Sequence, residues 1–379
     1  MEELLAECRQ PSKSRVKMTD SLLKTPFHAW HGDHGGRLVD FAGWDMPVQY
    51  TSITLEHTAV RTGIGLFDIS HMGRLQFCGP GACGFLDRLL TNDVASIECG
   101  SVRYALVCRD DGGILDDVLV YRFQDDYLLV VNASNREKIV EWITRHLDEH
   151  DVEMWDRTLE WAMVAVQGPG ALEMTAAVTD CDLTAMVYYG CETASVLGHA
   201  GRISRTGYTG EDGFELIVPA EAGPVLWECL MEGGEVMACG LGCRDTLRLE
   251  AGMPLYGHEL DEQTDPYTAG LGFAVKPDAC EFIGREAVMA ARERVDRKRR
   301  VGLDLEGRRI GREGAEVFSG ETAVGEVTSG TFSPTLERVI AMAYVEPAVA
   351  EVGTLLEVDI RGKRVAAEVV KLPFYRREV

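Results

Sequence analysis

The chain reads as short apolar runs separated by glycine-bearing turns, with a few stretches at helical spacing. Residues 21–63 predict a helix, a turn, short strands and a second helix. Two units then share one pattern. Residues 73–84 predict a strand, the turn Gly79-Pro80-Gly81 and a helix over 85–90. Residues 161–171 predict a strand, the turn Gly168-Pro169-Gly170 and a helix over 172–178, as an old internal duplication would leave. Gly79, Gly81 and Gly84 match G-x-G-x-x-G, but a proline sits inside the motif and no βαβ context supports it, so no dinucleotide site is expected. Residues 126–132 predict a strand, and Ile139, Val140, Trp142, Ile143 and Leu147 recur at helical spacing within 135–150. Strands are expected over 187–201, 202–204 and 270–275, and helices over 222–232 and 244–252, the last ended by Gly252. From about Lys298 the texture changes to short strands over 301–305, 315–318, 322–329, 339–345, 355–360 and 364–372. Turns at that spacing, many carrying glycine, predict a small antiparallel β-barrel.

Composition narrows the class. A chain of 379 residues, 46% of them hydrophobic, can bury a large core and is expected to divide into two or three domains. With 38 basic against 61 acidic residues, net −23, bulk nucleic-acid binding is excluded, because phosphate neutralisation needs a basic surface. The eleven cysteines are scattered singly; Cys78/Cys83 and Cys239/Cys243 are the closest pairs and have neither zinc nor redox spacing. They read as reduced, apolar residues of a cytosolic protein, and no metal is expected. Residues 1–20 are charged and lack the apolar segment of a secretory signal, and Met18 could be an alternative start that makes the first 17 residues an extension. No run of about 18 apolar residues exists, so no membrane helix is expected. One basic concentration, 292–300 with Arg308, Arg309 and Arg312, reads as a solvated linker or, less favoured, a docking face for an acidic partner.

The candidate chemistry starts at Asp111, where Gly112-Gly113 turns into the strand Ile114-Leu115-Asp116-Asp117-Val118-Leu119-Val120-Tyr121. Strand side chains alternate faces, so Asp116 and Asp117 point opposite ways, and Asp117 shares a face with Leu119 and Tyr121. A carboxylate on such a face is costly unless something polar binds there. A solvated or turn-capping pair is the plainer alternative. A second glycine-rich turn, 207–213, feeds a strand that carries Glu215 early, and Arg244 and Arg248 stack at i, i+4 on the helix predicted beyond it. Asp117, Glu215 and Arg244 together suit a pterin. One carboxylate would accept its N3–H and 2-amino group side by side, a second would lie near N5, and the arginine would meet a carbonyl or carboxylate. Tyr104, Tyr121 and Tyr208 would supply flat apolar walls. Structural salt bridges compete with this explanation. His71 could be a base or a ligand, although a lone histidine is more often a hydrogen-bonded structural group.

Several stretches carry a resemblance: 41–50 (FAGWDMPVQY), 67–73 (FDISHMG), 112–117 (GGILDD), 207–215 (GYTGEDGFE), 244–252 (RDTLRLEAG), 255–257 (LYG), 328–331 (TSGT) and 372–375 (LPFY). In this order they resemble the aminomethyltransferase (T-protein) family of the glycine cleavage system, over about Lys24 to Tyr375. The resemblance implies an α+β fold, a three-domain cloverleaf around a central folate cavity with a small C-terminal antiparallel barrel. Its domains would be 21–63 with 156–278, then 64–155, then 279–379. It implies Asp117 as the essential aspartate, Glu215 as the pterin-contacting glutamate, Arg244 as the binding arginine and Tyr375 as a lining tyrosine, with Met72 in the folate-binding set. The implied reaction moves a methylene carbon from an aminomethyl-dihydrolipoyl carrier protein (the H-protein) to tetrahydrofolate as co-substrate, without metal, nucleic acid or membrane, in a cytoplasmic monomer. Thr268 stands where the family usually has an acid, and Phe273 where it usually has Trp. Two rivals share the fold. One is a tetrahydrofolate-dependent O- or S-demethylase. The other, an iron–sulfur assembly factor, would carry a cysteine at the 207–211 turn, which this chain lacks. A flavin amine oxidase fragment would need a dinucleotide domain, and no room for one exists before Phe41.

Overall fold

A computed structural model describes residues 21–147 and 151–377; the extension expected at 1–20 lies outside the described residues. Arg37–Phe41 (β1) and Trp44–Gln49 (β2) form a hairpin closed by Ala42 and Gly43, both in the left-handed region. Ile64–Asp68 (β3) follows the helix Ile53–Thr62. Gly73–Cys78 (β4), Ser101–Cys108 (β5), Ile114–Arg122 (β6), Tyr127–Val131 (β7) and Glu153–Asp156 (β8) build an antiparallel sheet in the order β5-β6-β7-β4-β8. The chain then returns to β3. Trp161–Gln167 (β9), Cys191–Val196 (β10), His199–Ser204 (β11), Gly213–Pro219 (β12) and Val236–Ala238 (β13) complete a second sheet in the order β10-β11-β12-β9-β3-β13. Only its β13–β3 pair is parallel. The strand β3, grouped from sequence with 64–155, thus hydrogen-bonds into the sheet of the flanking segments, because β9 offers it a partner along its length.

The two sheets pack face to face. On β9, Ala162, Val164 and Val166 bury against the helices Ala171–Ala176 and Gly223–Glu232, while Met163 and Ala165 face Tyr121, Leu128 and Val130 of the other sheet. A strand buried on both sides reads as an unbroken apolar run, which 161–166 is. The five-stranded sheet turns Leu75, Leu129 and Val131 the other way, onto the helices Ala82–Leu89 and Arg136–His146. Both Gly-Pro-Gly turns do join a strand to a helix.

Arg299–Leu305 (β14), Glu316–Ser319 (β15), Thr322–Ser333 (β16), Arg338–Val345 (β17), Leu355–Asp359 (β18) and Arg364–Val370 (β19) close into the expected barrel, filled by Val301, Leu303, Val327, Val345 and Val358. It docks on the helix Leu241–Glu250. Glu250 accepts from the Ser333 hydroxyl at 2.5 Å, the Thr335 hydroxyl at 2.8 Å and Arg61 Nη2 at 2.8 Å. Arg248 donates to Glu259 at 2.9 Å and to the Ser329 hydroxyl at 2.8 Å.

Two sequence expectations fail locally. Residues 270–275 form a 3₁₀ turn, Gly272–Ala274, in place of a strand. Gly270 is left-handed, and the turn buries Leu271 and Ala274 while leaving Phe273 64% exposed. Residues 187–190 form a turn before β10, and the hairpin β10–β11 turns on Leu197-Gly198, both left-handed as a two-residue type I′ loop requires. The basic run 292–300 is mostly exposed, but Arg300 turns inward to the carbonyls of Ala269 and Gly252. No disulfide joins any two of the ten cysteines among the described residues. No described helix is long and apolar enough to cross a membrane.

Candidate functional site

A cavity of about 720 Å³ lies where the two sheets and the barrel meet, lined by Asp117 from β6, Glu215 from β12, Arg244 from the helix Leu241–Glu250 and Arg300 from β14. That volume suits one enclosed small-molecule ligand. Glycine places both acids. At Gly113 a Cβ would sit 2.0 Å from the Glu262 carbonyl, so only glycine lets the turn before β6 pass under the 254–264 loop. At Gly207 a Cβ would meet the Gln167 amide at 2.1 Å, so glycine likewise lets the second turn close on β9 and feed β12.

Asp117 is half-buried. Its Oδ2 accepts from the Tyr104 hydroxyl at 3.0 Å and its Oδ1 from Asn132 Nδ2 at 2.8 Å; no cation pairs with it among the described residues. Asp116 points away from the cavity and is fully buried, as strand alternation predicts. Burial pushes both carboxyls above the usual range, and their repulsion adds to the effect on Asp116. The two acids therefore titrate as a pair.

Glu215 is 6% exposed and accepts from the Thr206 hydroxyl and, at 3.4 Å, from the Tyr121 hydroxyl. Burial raises its pKa, against the hydroxyl of Thr206 and the charge of Arg244, which lower it. The Arg244 guanidinium lies 5.0 Å from the centre of the Tyr208 ring and makes no ion pair among the described residues. Burial lowers its pKa, and the charge of Glu215 works against that shift. A half-buried cation on an aromatic face, near an acid bonded only to hydroxyls, leaves donor and acceptor capacity free for a ligand.

Of the residues named from sequence, Asp117, Glu215, Arg244, Tyr104, Tyr208 and Met72 all line this cavity. Tyr121 does not: it is 1% exposed, stacks on Phe123 and stands behind Glu215 as its hydroxyl donor. Tyr375 does not either. Its ring lies 4.0 Å under the Arg61 guanidinium and its hydroxyl donates to Glu211 at 2.7 Å, so it belongs to the barrel seam. Thr268 donates to Asp265 at 2.6 Å within its own turn and stays out of the cavity wall. Phe273 stacks on Tyr104, with ring centres 5.8 Å apart, and forms part of the wall.

Sequence reasoning left out Asn132 and Arg300 as cavity residues, and named Arg248 only as the helix neighbour of Arg244 and His71 only as a possible base or ligand. His71 is 2% exposed, with the Phe41 ring edge-on at 5.5 Å and Nδ1 lacking a partner among the described residues. Burial pulls its pKa down to about 3, so the ring is neutral at ordinary pH, and it is not the hydrogen-bonded structural histidine that a lone His suggested. Asn132 ends a strand that was correctly expected; only the pairing of β6 with β7 brings it beside Asp117. Among the described residues no cluster of His, Cys, Asp and Glu could hold a metal ion.

Two packed sheets and a closed barrel meeting at one largely apolar chamber with a few charged groups define a three-part α+β protein. The chain matches the family model of the GCVT N-terminal domain over residues 27–279 and that of the glycine cleavage T-protein C-terminal barrel domain over 298–376. It is 51% identical over 362 residues to the aminomethyltransferase of Rubrobacter xylanophilus, covering 94% of this chain and 95% of that one. It is 47% identical over 362 residues to that of Geobacillus kaustophilus, covering 94% and 99%. The crystal structure of glycine cleavage system aminomethyltransferase T from Bartonella henselae matches with a TM-score of 0.89 at 34% identity, over 94% of this chain and 98% of that one. The chain belongs to the glycine cleavage T-protein family.

Proposed function

We propose that the protein is the aminomethyltransferase of a glycine cleavage system. It would move the methylene carbon of an aminomethyl-dihydrolipoyl carrier protein to tetrahydrofolate, releasing ammonia and giving 5,10-methylene-tetrahydrofolate. The observation that carries this reading is the convergence of Asp117 and Glu215 from separate sheets on one enclosed cavity, with an unpaired Arg244 between the sheets and the barrel. The donor set fits a reduced folate. Glu215 has lone pairs for an N3–H and 2-amino edge, Arg244 has free N–H groups for a carbonyl or carboxylate, and Tyr104 and Tyr208 present ring faces.

Tetrahydrofolate supplies the attacking nitrogen. Glu215 and Arg244 hold the ring edge, and Met72 and the tyrosines exclude water around it. Asp117, fixed by Tyr104 and Asn132, orients the reacting end and meets the positive charge that develops there. We place the working protein in the cytoplasm as a monomer that receives the lipoyl arm of its H-protein. We divide it into a first unit of 21–63 with 156–278, to which β3 (64–68) also belongs by its pairing, a second running on to 155 and the barrel unit of 279–379. Purified enzyme incubated with aminomethyl-loaded H-protein and tetrahydrofolate should form methylene-tetrahydrofolate and ammonia in equal amounts. Transfer only from O- or S-methyl donors would move the assignment to a demethylase.

A further inference from the structure

Behind β6, on the face away from the cavity, Asp116 is fully buried yet accepts three N–H donors. The Asn132 backbone N–H reaches Oδ2 at 3.0 Å, and Asn132 Nδ2 and Asn135 Nδ2 reach Oδ1 at 2.8 and 2.6 Å. The Asn132 amide cannot be turned over. The same Nδ2 also points at Asp117 Oδ1, at 2.8 Å, and at the Asp117 carbonyl, at 3.2 Å, so an oxygen in its place would face acceptors on every side. Both Asn132 groups that reach the Asp116 carboxylate are therefore donors, as is Asn135 Nδ2 in the orientation seen. These donors favour the ionised form, against the burial and the Asp117 charge that raise the Asp116 carboxyl.

Asp117 is held differently. One amide N–H and one hydroxyl reach it, its remaining lone pairs face the cavity, and the Tyr104 hydroxyl can turn to accept as well as donate. The titratable groups around it are Tyr104, Tyr189, Tyr208, Tyr256 and Glu259, and Glu259 is itself paired with Arg248. With one amide nitrogen bridging the two aspartates, a proton that the pair takes up falls on the member with fewer donors, which is Asp117.

We propose that Asp116 is a positioning residue: held behind the strand by Asn132 and Asn135 and coupled to Asp117 through the shared Asn132 amide, it aims Asp117 into the cavity and keeps it able to take up and return a proton. Its use in the reaction rests on the transfer reading above. As the new N5–C bond forms and the old C–N bond breaks, Asp117 accepts the N5 proton and returns it to the departing amine; ring closure by N10 then breaks the C–S bond and the N10 proton goes to the dihydrolipoyl sulfur, so both exchanges balance with no outside acid. The electrostatic relation between the two aspartates stands without that reading.

The test uses the full-length protein carrying ¹³C-carboxyl aspartate, titrated without ligand, with the Asp117 signal assigned by its loss in Asp117→Asn. Asp116→Asn should lower the Asp117 midpoint by about one pH unit or more, because a neighbouring negative charge has gone. In turnover the acid limb of kcat should move the same way, with kcat falling about tenfold and KM for tetrahydrofolate staying within about twofold. Asn135→Ala removes one donor from Asp116 without touching the cavity and should move the midpoint in the same direction by a smaller amount. It carries the test alone if Asp116→Asn does not fold. An Asp117 midpoint that stays put or rises in these variants overturns the proposal. So does an Asp116→Asn enzyme that loses thermal stability while its pH profile and kcat stay unmoved. Wild-type enzyme that forms no methylene-tetrahydrofolate would refute the transfer reading, while the carboxyl titration would still decide the role of Asp116.

Discussion

At the barrel seam Glu250 collects the hydroxyls of Ser333 and Thr335, the Arg61 guanidinium and, at 3.2 Å, His57 Nε2. Arg248 is matched in the same way by Glu259. In the cavity next to it, Arg244 has no ion pair among the described residues, Asp117 no cation and Glu215 only hydroxyls. Both regions bury charge at a cost. At the seam the protein's own groups offset that cost, which ties the barrel to the sheets. In the cavity the compensation is left to whatever enters. A chain can thus assign acids out of bulk water to cohesion or to recognition simply by supplying or withholding partners.

Substitutions should separate the two regions cleanly. The largest effect is expected for Asp117→Asn, which keeps the shape and removes the charge. Turnover with aminomethyl-loaded carrier should fall about 10²–10³-fold, while calorimetry finds folate still bound. Unchanged turnover would place Asp117 with the structural acids. Next, Glu250→Ala should destabilise the fold by about 3–5 kcal/mol in denaturant melts, because buried Arg61 loses one of its two carboxylates and His57, Ser333 and Thr335 lose their shared acceptor, with the folate dissociation constant unaltered.

The same seam sets an acid limit. Burial alone would raise the Glu250 pKa, but the bonds from His57, Ser333 and Arg61 hold it at about 2. Its stabilisation is therefore complete above the ordinary glutamate value of about 4.3 and is lost as pH falls towards 2. Melts of wild type and Glu250→Gln should converge across that window; a constant gap down to pH 2 would refute it. Glu215→Ala should weaken tetrahydrofolate binding by about 2–5 kcal/mol and leave the melt close to wild type. The smallest change is expected for Tyr375→Phe. Loss of its bond to Glu211 should cost about 1 kcal/mol of stability and nothing in folate affinity. A binding defect there would return Tyr375 to the cavity wall.

Much of the architecture was legible residue by residue. The six barrel strands follow from alternation broken by turns, and both acids follow from glycine turns feeding strands. Tyr121 was placed on the correct face of β6 and still lies behind the cavity, because a face says nothing about depth. Residues 270–275 had strand-like composition, but Gly270 and the burial of Leu271 and Ala274 favoured a turn. His71 gave no local signal that separates a satisfied histidine from one facing a chamber.

Short-range chemistry, acting within a few residues, therefore determined the strands, the glycine turns and the opposite facing of Asp116 and Asp117. Only tertiary structure decided that β3 crosses to the second sheet, that Asn132 bridges two aspartates and that Asp117, Glu215 and Arg244 share a chamber while Tyr375 does not. These depend on which strands pair and which faces bury, and such long-range choices are made by the whole core rather than by any one stretch of it.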